Sequence, residues 1–597
     1  MTLRVDKDAQ ITFGVDFGTT YTGTLSFEEC VGYALRKLGM RKGHDAEKLI
    51  EQWPAPNSTT MTAPKVPSII QYKPDRWGAQ VVVGSNAQCS SLFKLFLEPN
   101  YDRRGDDYAS LNFLIDHKGL GLPDNKTEFG IIRDYLHRVW EHTRNQLSDN
   151  TRQAIRRHPV HYTITVPGIW ERETRKALEQ IVRDAGLAPK ANDILTMIPE
   201  PIAAAVAVFE QKEDTFRDDD ILLICDIGGG TIDVGSVLIR QTESGRYMRQ
   251  LEPTRGNRGM LSVETAFYRT MVSRFRDAFK TQDVKAIGPS SALIRAFRDH
   301  YETFTPESLE EHDWVCRLPL KIPLMGDNPG IYDRSRKQII LSARDIQAFL
   351  DPVVDMAVSL ITEQRRIVAG AGFDKKKQAS HIYLVGGGAE NAYVLRSVRT
   401  RMGNEQTVDV SAPDRPQVAV VRGAAVYGLD DVLSIHRCPQ YIGFECPQEY
   451  HADRHGQPQQ GLSMIRDPVD GRQMVTGAAV WVLDMGRIYH EGAVETENVT
   501  EYFLDGKVGD RHKNIFVSRN PRPPVSVTGL TPSSAIEIRF RQVPAVRLEA
   551  TEVDGRRQIR ICYEISTTFL PIDNRIEFVA RVNNQEIGRQ AMKMPLP

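Results

Sequence analysis

The chain has few cysteines: seven among 597 residues, dispersed, with neither the spacing of a disulfide framework nor the paired spacing of a zinc site. That excludes a disulfide-stapled fold and favours a reducing compartment. An excess of charge is also missing, since 76 Lys and Arg stand against 77 Asp and Glu. Nucleic acid and anionic membrane are therefore not expected as partners. No apolar run approaches the length of a membrane-crossing helix, and no secretory signal pattern opens the chain. These absences lead to the expectation of a cytoplasmic protein, with the nucleus also open, in which the glycosylation sequons at Asn57, Asn125 and Asn498 stay idle. With 41% hydrophobic residues, the chain is long enough for roughly three or more compact units.

Two segments, 210 residues apart, repeat one pattern. Ile11-Thr12-Phe13-Gly14-Val15 leads into Asp16-Phe17-Gly18-Thr19-Thr20-Tyr21, and Ile221-Leu222-Leu223-Ile224-Cys225 leads into Asp226-Ile227-Gly228-Gly229-Gly230-Thr231-Ile232-Asp233. In each, an apolar strand delivers an Asp to a small-residue turn, and a second strand leads away. The run before Asp226 is apolar throughout, as expected of a strand covered on both faces. Glycines let backbone N–H groups converge on phosphate oxygens, threonine hydroxyls add donors, and a carboxylate at the edge can hold Mg²⁺ through its waters. One such loop alone reads equally well as an ordinary tight hairpin. The pair favours a phosphate grip with two lobes.

A third element, His381-Ile382-Tyr383-Leu384-Val385, runs into Gly386-Gly387-Gly388-Ala389-Glu390-Asn391 before a helical pattern through Val394, Leu395 and Val398. Such a glycine turn lets a flat group such as adenosine press against backbone, although singly it is also a plain turn into a helix. Together the three loops resemble those of the superfamily of sugar kinases, 70-kilodalton heat-shock proteins and actin. Within it the heat-shock proteins are most similar. Thr163-Ile164-Thr165-Val166-Pro167 before a helix ending at Asp184-Ala185-Gly186-Leu187 resembles their strand-proline-helix segment. Pro199-Glu200-Pro201-Ile202-Ala203-Ala204-Ala205 and Arg422-Gly423-Ala424-Ala425 resemble their two connecting helices.

The resemblance implies an α/β, two-lobed actin-like ATPase fold of duplicated ribonuclease-H-like domains, followed by a β-rich C-terminal domain. The expected divisions are lobe I over 11–200 with an insertion at 31–64, and lobe II over 201–429, returning toward lobe I near 390–429. A linker and first strand over 430–445 and a β-rich domain over 446–597 follow. The implied cofactors are ATP or ADP and Mg²⁺. Asp16 and Asp226 would organise the metal through water, with Thr231 and the backbone of Gly228, Gly229 and Gly230 around the γ-phosphate. Gly18, Thr19, Thr20 and Tyr21 would hold the β-phosphate, and Gly386, Gly387 and Gly388 the adenosine. Glu200 would polarise the metal-water network, although a carboxylate there also complements a helix dipole. Lys94, in Leu92-Phe93-Lys94-Leu95-Phe96, is the candidate for the family's lysine near the γ-phosphate; a snorkelling surface lysine fits the same residues. Pro167 and Arg175 match positions that transmit nucleotide state, and serve equally as a strand terminator and a solvated helix charge.

Glu390 stands where the usual chaperones carry an arginine near adenine, and Phe297 to Thr305 lacks their basic cluster. Gly386 through Glu390, the Trp53-Pro54 insertion and Lys65-Val66-Pro67-Ser68 resemble a divergent, fungal-type branch lacking the usual peptide-binding module and lid. Trp53 to Thr60 reads as a polar insertion loop, Glu171 to Ala185 and 264–310 as helical, and Ile536 to Arg541 and Gln558 to Ile561 as strands joined through an Asp554-Gly555 hairpin turn. His451 and His455 have metal-ligand spacing but sit in a solvated, loop-like context. No kinase catalytic-loop motif precedes Asp16-Phe17-Gly18. Three functions follow from this reading. The first is a slowly hydrolysing, ATP-binding heat-shock-70-like chaperone whose lobe closure regulates protein clients or cochaperones. The second is an ATP-binding pseudoenzyme or scaffold, and the third a small-molecule kinase or actin-like polymer. The oligomeric state is left open.

Overall fold

The computed structural model describes residues 11–28, 47–82, 89–97, 123, 125–212, 216–217, 220–242, 245–250, 253–256, 258–288, 291–322, 330–370, 381–403, 409–429, 435–438, 440–455, 462–467, 469–490, 492–503, 507–520, 522–543, 549–553, 556–570 and 575–594. The chain divides into two units, Met1–Ser244 with Leu251–Asp431, and Gly245–Gln250 with Val432–Pro597.

The larger unit is built from two sheets of matching topology. In the first, strand Ile11–Phe17 lies between its antiparallel hairpin partner Tyr21–Glu28 and the parallel strand Val160–Val166, beyond which Ile194–Pro199 continues the parallel set. In the second, Ile221–Ile227 lies between antiparallel Ile232–Thr242 and parallel His381–Val385, followed by Asp409–Ser411. The two hairpins share one register: Phe17 pairs with Thr22 as Ile227 pairs with Ile232, and Asp16 pairs with Gly23 as Asp226 pairs with Asp233. Every residue of Ile221–Ile227 is buried, the burial expected of a central strand covered on both faces.

Two helices tie the sheets together by exchange. Helix Glu200–Gln211 leaves the first sheet and packs on the hairpin strands of the second, whereas Ala419–Leu429 leaves the second and packs on Ile11–Phe17. The former is buried from Glu200 to Phe209, and its run of alanines lets the other helix approach to backbone contact. At the crossing, a Cβ on Gly423 would stand 1.6 Å from the Ala203 carbonyl oxygen, so only glycine fits. Pro201 costs this helix nothing, because first-turn N–H groups have no helical partner.

The helix expected over Glu171 to Ala185 is present as Arg172–Asp184, and 264–310 resolves into Leu261–Phe275, Ala292–Glu302 and short turns between them. The segment Trp53 to Thr60 departs from its polar-loop reading. Gln52–Pro54 and Thr60–Thr62 pair as a hairpin, because Trp53 is fully buried against Trp77 and stacked 5.3 Å from the His142 ring. Its indole N–H donates to the Ala63 carbonyl at 2.9 Å. Part of the 31–64 insertion, residues 31–46, lies outside the described residues, as do 430–434 and 439 of the expected linker and first strand and the Asp554-Gly555 turn.

The C-terminal unit is rich in strands. Ala479–Leu483, Tyr441–Glu445, Arg511–Ser518 and Ser534–Ile538 form one sheet in that order. Ala493–Phe503, Arg556–Leu570, Arg575–Val582 and Gln585–Lys593 form another, with Glu549–Val553 paired to Arg556–Leu570. Their core contains Phe444, Ile515, Ile536, Phe540, Tyr563, Phe569 and Phe578. Its one α-helix among the described residues is Ala452–His455. Across the whole chain, no described helix is long and apolar enough to cross a membrane. The architecture is α/β with two matching lobes, followed by a β-rich C-terminal region.

Candidate functional site

Both hairpin tips are held by their carbonyl oxygens. In the first, Ser68 donates its hydroxyl to the Gly18 carbonyl at 2.8 Å and its backbone N–H to that of Thr20 at 2.7 Å. In the second, Gly259, Met260 and Leu261, at the start of helix Leu261–Phe275, donate N–H groups to the carbonyls of Gly230, Gly228 and Gly229. Orphan N–H groups at a helix start thus become the seat of the glycine loop. The two tips touch. A Cβ on Gly229 would lie 2.0 Å from Thr20 Oγ1, and one on Gly230 would lie 3.0 Å from Thr19 Cγ2. Tyr21 follows with its side chain exposed. Thr231 donates its hydroxyl to Asp233 Oδ2 at 2.8 Å, and Arg255 Nε lies 3.5 Å from Asp233 Oδ1, so Asp233 braces the hairpin.

Beneath the tips the lobes bring acidic side chains together. Asp16 and Asp226 end equivalent strands, and Glu200 begins the connecting helix. All three are buried. Burial pushes the Asp226 carboxyl well above the usual range, with Glu200 and Asp16 adding to the effect and Lys65 opposing it. Burial likewise raises Glu200; Lys94 opposes this, and Asp233 and Asp16 reinforce it. Burial also works against ionised Asp16, but the Lys65 ammonium, with smaller help from Lys94 and Thr165, holds its carboxyl below the ordinary range.

Lys94 is no surface lysine. It sits on the helical turn Phe93–Leu97, only 3% exposed, and its Nζ contacts Glu200 Oε1 at 2.7 Å. The ammonium lies 5.8 Å from the Phe17 ring centroid and 5.6 Å from that of Trp170, within cation–π range. Glu200 therefore both opens a helix and receives a buried ion pair.

Lys65 was not among the residues expected from sequence. Its Nζ lies 2.5 Å from Asp16 Oδ2, while Thr165 Oγ1 donates to Asp16 Oδ1 at 2.9 Å, so both carboxylate oxygens are engaged. A basic residue just before Val66-Pro67-Ser68, the segment that clamps the first tip, was the available signal.

The third loop closes on Asp226. Gly386 has φ +82°, and a Cβ there would stand 2.2 Å from Asp226 Oδ1, so backbone abuts the acid only because the residue is glycine. Gly388 packs on Ile227, whereas Gly387 would meet nothing within 4 Å. Asn391 caps the next helix by accepting from Val394 N–H and donates to the Tyr301 carbonyl at 2.6 Å. Nearby, Arg298 on the same helix as Tyr301 is bound bidentately to Glu264, at 2.5 and 3.0 Å.

The glycine tips and threonine hydroxyls suit the phosphates of a nucleotide. Among the described residues, no group of three His, Cys, Asp or Glu side chains is arranged to hold a metal directly, His451 included. Each Asp16 oxygen already has one partner, Lys65 or Thr165, and the Lys65 ammonium offsets the negative charge that would draw a hydrated magnesium ion.

The chain is similar to known proteins over about half its length. A model of the family described as "Hsp70 protein" matches residues 138–436, which include Glu200, the second hairpin and the Gly386 loop. A mitochondrial-type heat shock protein 70 of Encephalitozoon cuniculi is 26% identical over 305 residues, covering 49% of this chain and 46% of that protein. Heat shock 70 kDa protein 12A of Homo sapiens is 22% identical over 392 residues, covering 53% and 55%, and its Mus musculus counterpart matches to the same extent. The chain thus spans about half the length of these relatives.

Proposed function

The chain belongs to the Hsp70 family, and from that premise we propose that it binds ATP between its two hairpin tips and hydrolyses it slowly. The observation that carries this reading is the convergence of Asp16, Glu200 and Asp226, with Lys65 and Lys94, beneath two tips of identical register. The Gly228–Gly230 backbone and the Thr231 hydroxyl would surround the γ-phosphate, and Gly18 to Tyr21 the β-phosphate. Gly386 to Gly388 would lie along the adenosine. Burial and its acidic neighbours make the Asp226 carboxylate more basic, so in its ionised form it is suited to accept a proton from an attacking water. Lys94 holds Glu200 in place and adds positive charge near the transferred group.

Because the tips are in contact, a triphosphate gripped by both has to part them. Occupancy would then set the angle between the lobes, and so regulate the binding of protein clients or cochaperones. A chaperone role in the cytoplasm, with the nucleus open, completes the proposal. Single-turnover release of γ-phosphate from ATP in the presence of Mg²⁺ tests it. Release that falls ~10²-fold or more in Asp226→Ala is expected, and an unchanged rate contradicts the assignment.

The Lys65–Asp16 contact supports a second reading, an ATP-binding scaffold without significant hydrolysis. Nucleotide would then raise the melting temperature with no phosphate release from the native chain.

A further inference from the structure

We propose that Lys65 takes the place of a divalent metal at Asp16, so that this chain binds ATP as the metal-free anion. The inference rests on the ATP-binding reading above.

Strand register delivers the lysine. Val66-Pro67 pairs antiparallel with Tyr21-Thr22, Pro67 opposite Tyr21 and Val66 opposite Thr22. The next step of that register sets Lys65 beside Gly23, which itself pairs with Asp16 on the adjoining strand. Lys65, just before the strand Val66-Pro67, thus continues the row of Gly23 and Asp16, and the middle residue puts no side chain in the row. A lysine stem is long enough to cross it, and the ammonium reaches Asp16 Oδ2 at 2.5 Å. Ser68, three residues on, ties the same segment to the Gly18 and Thr20 carbonyls, so Lys65 is fixed to the tip that would grip phosphate.

The surrounding charges define its task. Asp16, Glu200 and Asp226 all act on Lys65, while Lys94 is engaged with Glu200 and Arg255 with Asp233. A triphosphate entering beside these carboxylates needs a cation between them. Usually a hydrated divalent ion bridges carboxylate and phosphate oxygens. An ammonium has three donors and no acceptor; with one on Asp16, the others can turn to phosphate. Lys65 lies where such a bridge is required, its side chain 16% exposed and its partner 7%.

The test is equilibrium binding of ATP to the full chain by calorimetry, with Mg²⁺ and with EDTA, for the native protein, Lys65→Met and Lys65→Arg. Native affinity should differ by no more than ~3-fold between the two media. Lys65→Met should lose ~10-fold or more in EDTA and recover most of it with Mg²⁺, and Lys65→Arg should keep metal-free binding within ~3-fold, since one charge-assisted contact is worth about a factor of ten. Native binding that appears with Mg²⁺ and vanishes in EDTA overturns the inference while leaving the ATP reading intact. Equal metal-free binding by native and Lys65→Met overturns it as well. Native protein that binds ATP in neither medium overturns the ATP reading and this inference with it. The native comparison needs no variant, so a folding defect in Lys65→Met does not blunt the test.

Discussion

Lys94 and Glu200 meet in a setting where neither can be removed alone without exposing the cost of the other. Both are buried, and their 2.7 Å contact is backed by two aromatic rings. Lys94→Met is expected to destabilise the larger unit by about 3–5 kcal/mol, because an uncompensated carboxylate is left inside. Adding Glu200→Gln should recover most of that loss. Urea denaturation of the single and double variants checks this, and additive losses would contradict a coupled pair. Sequence supplied Lys94 as a candidate, but could not separate it from a surface lysine, since its burial depends on Phe17, Trp170 and Glu200, all distant in the chain. Lys65 was missed for a related reason. Its meaning comes from strand register, not from its neighbours in sequence, whereas the Asp and Gly residues of the two tips carry a local signature. Gly386 was legible as a turn, but its contact with Asp226 was not.

At the level of elements, the apolar run Ile221–Cys225 was legible as a strand covered on both faces, and all of it is buried; Ile11–Val15 and His381–Val385 were also legible as strands. The hairpin around Trp53 did not, since its polar composition conceals one anchor whose partners, Trp77 and His142, lie elsewhere. The crossing of helices Glu200–Gln211 and Ala419–Leu429 depends on Gly423 against Ala203. Gly423→Val should force the two apart and cost about 3 kcal/mol, read as a lower melting temperature; a neutral result would mean the helices do not cross so closely. In the C-terminal unit, Asp467 joins three segments. It accepts from the Val469 N–H, the Tyr502 hydroxyl at 2.8 Å and Arg560 at 2.9 Å. Burial opposes its ionisation, but these donors outweigh burial and hold its carboxyl below the ordinary range. Because the folded value lies below the unfolded one, the stabilisation is full above the unfolded pKa and is lost as pH falls through the folded one. Asp467→Asn should therefore lower the melting temperature at pH 7, by roughly 1–3 kcal/mol of stability, and the gap to native should close in acid. A gap independent of pH would contradict this.

Over the whole molecule, duplication is the feature that sequence and structure share most fully. The two tips could be aligned residue by residue before their strands were known, and the sheets behind them repeat one topology. What sequence could not convey is the exchange, in which each connecting helix leaves one sheet to pack on the other, because that arrangement arises only once both sheets exist. The functional claim is that both tips hold one nucleotide. Hydrogen exchange of the native chain with and without ATP tests it most directly. Slower exchange is expected together at the amides of Gly18 to Thr20 and of Gly228 to Gly230 when ATP is added; protection confined to one tip, or absent from both, would contradict a shared grip.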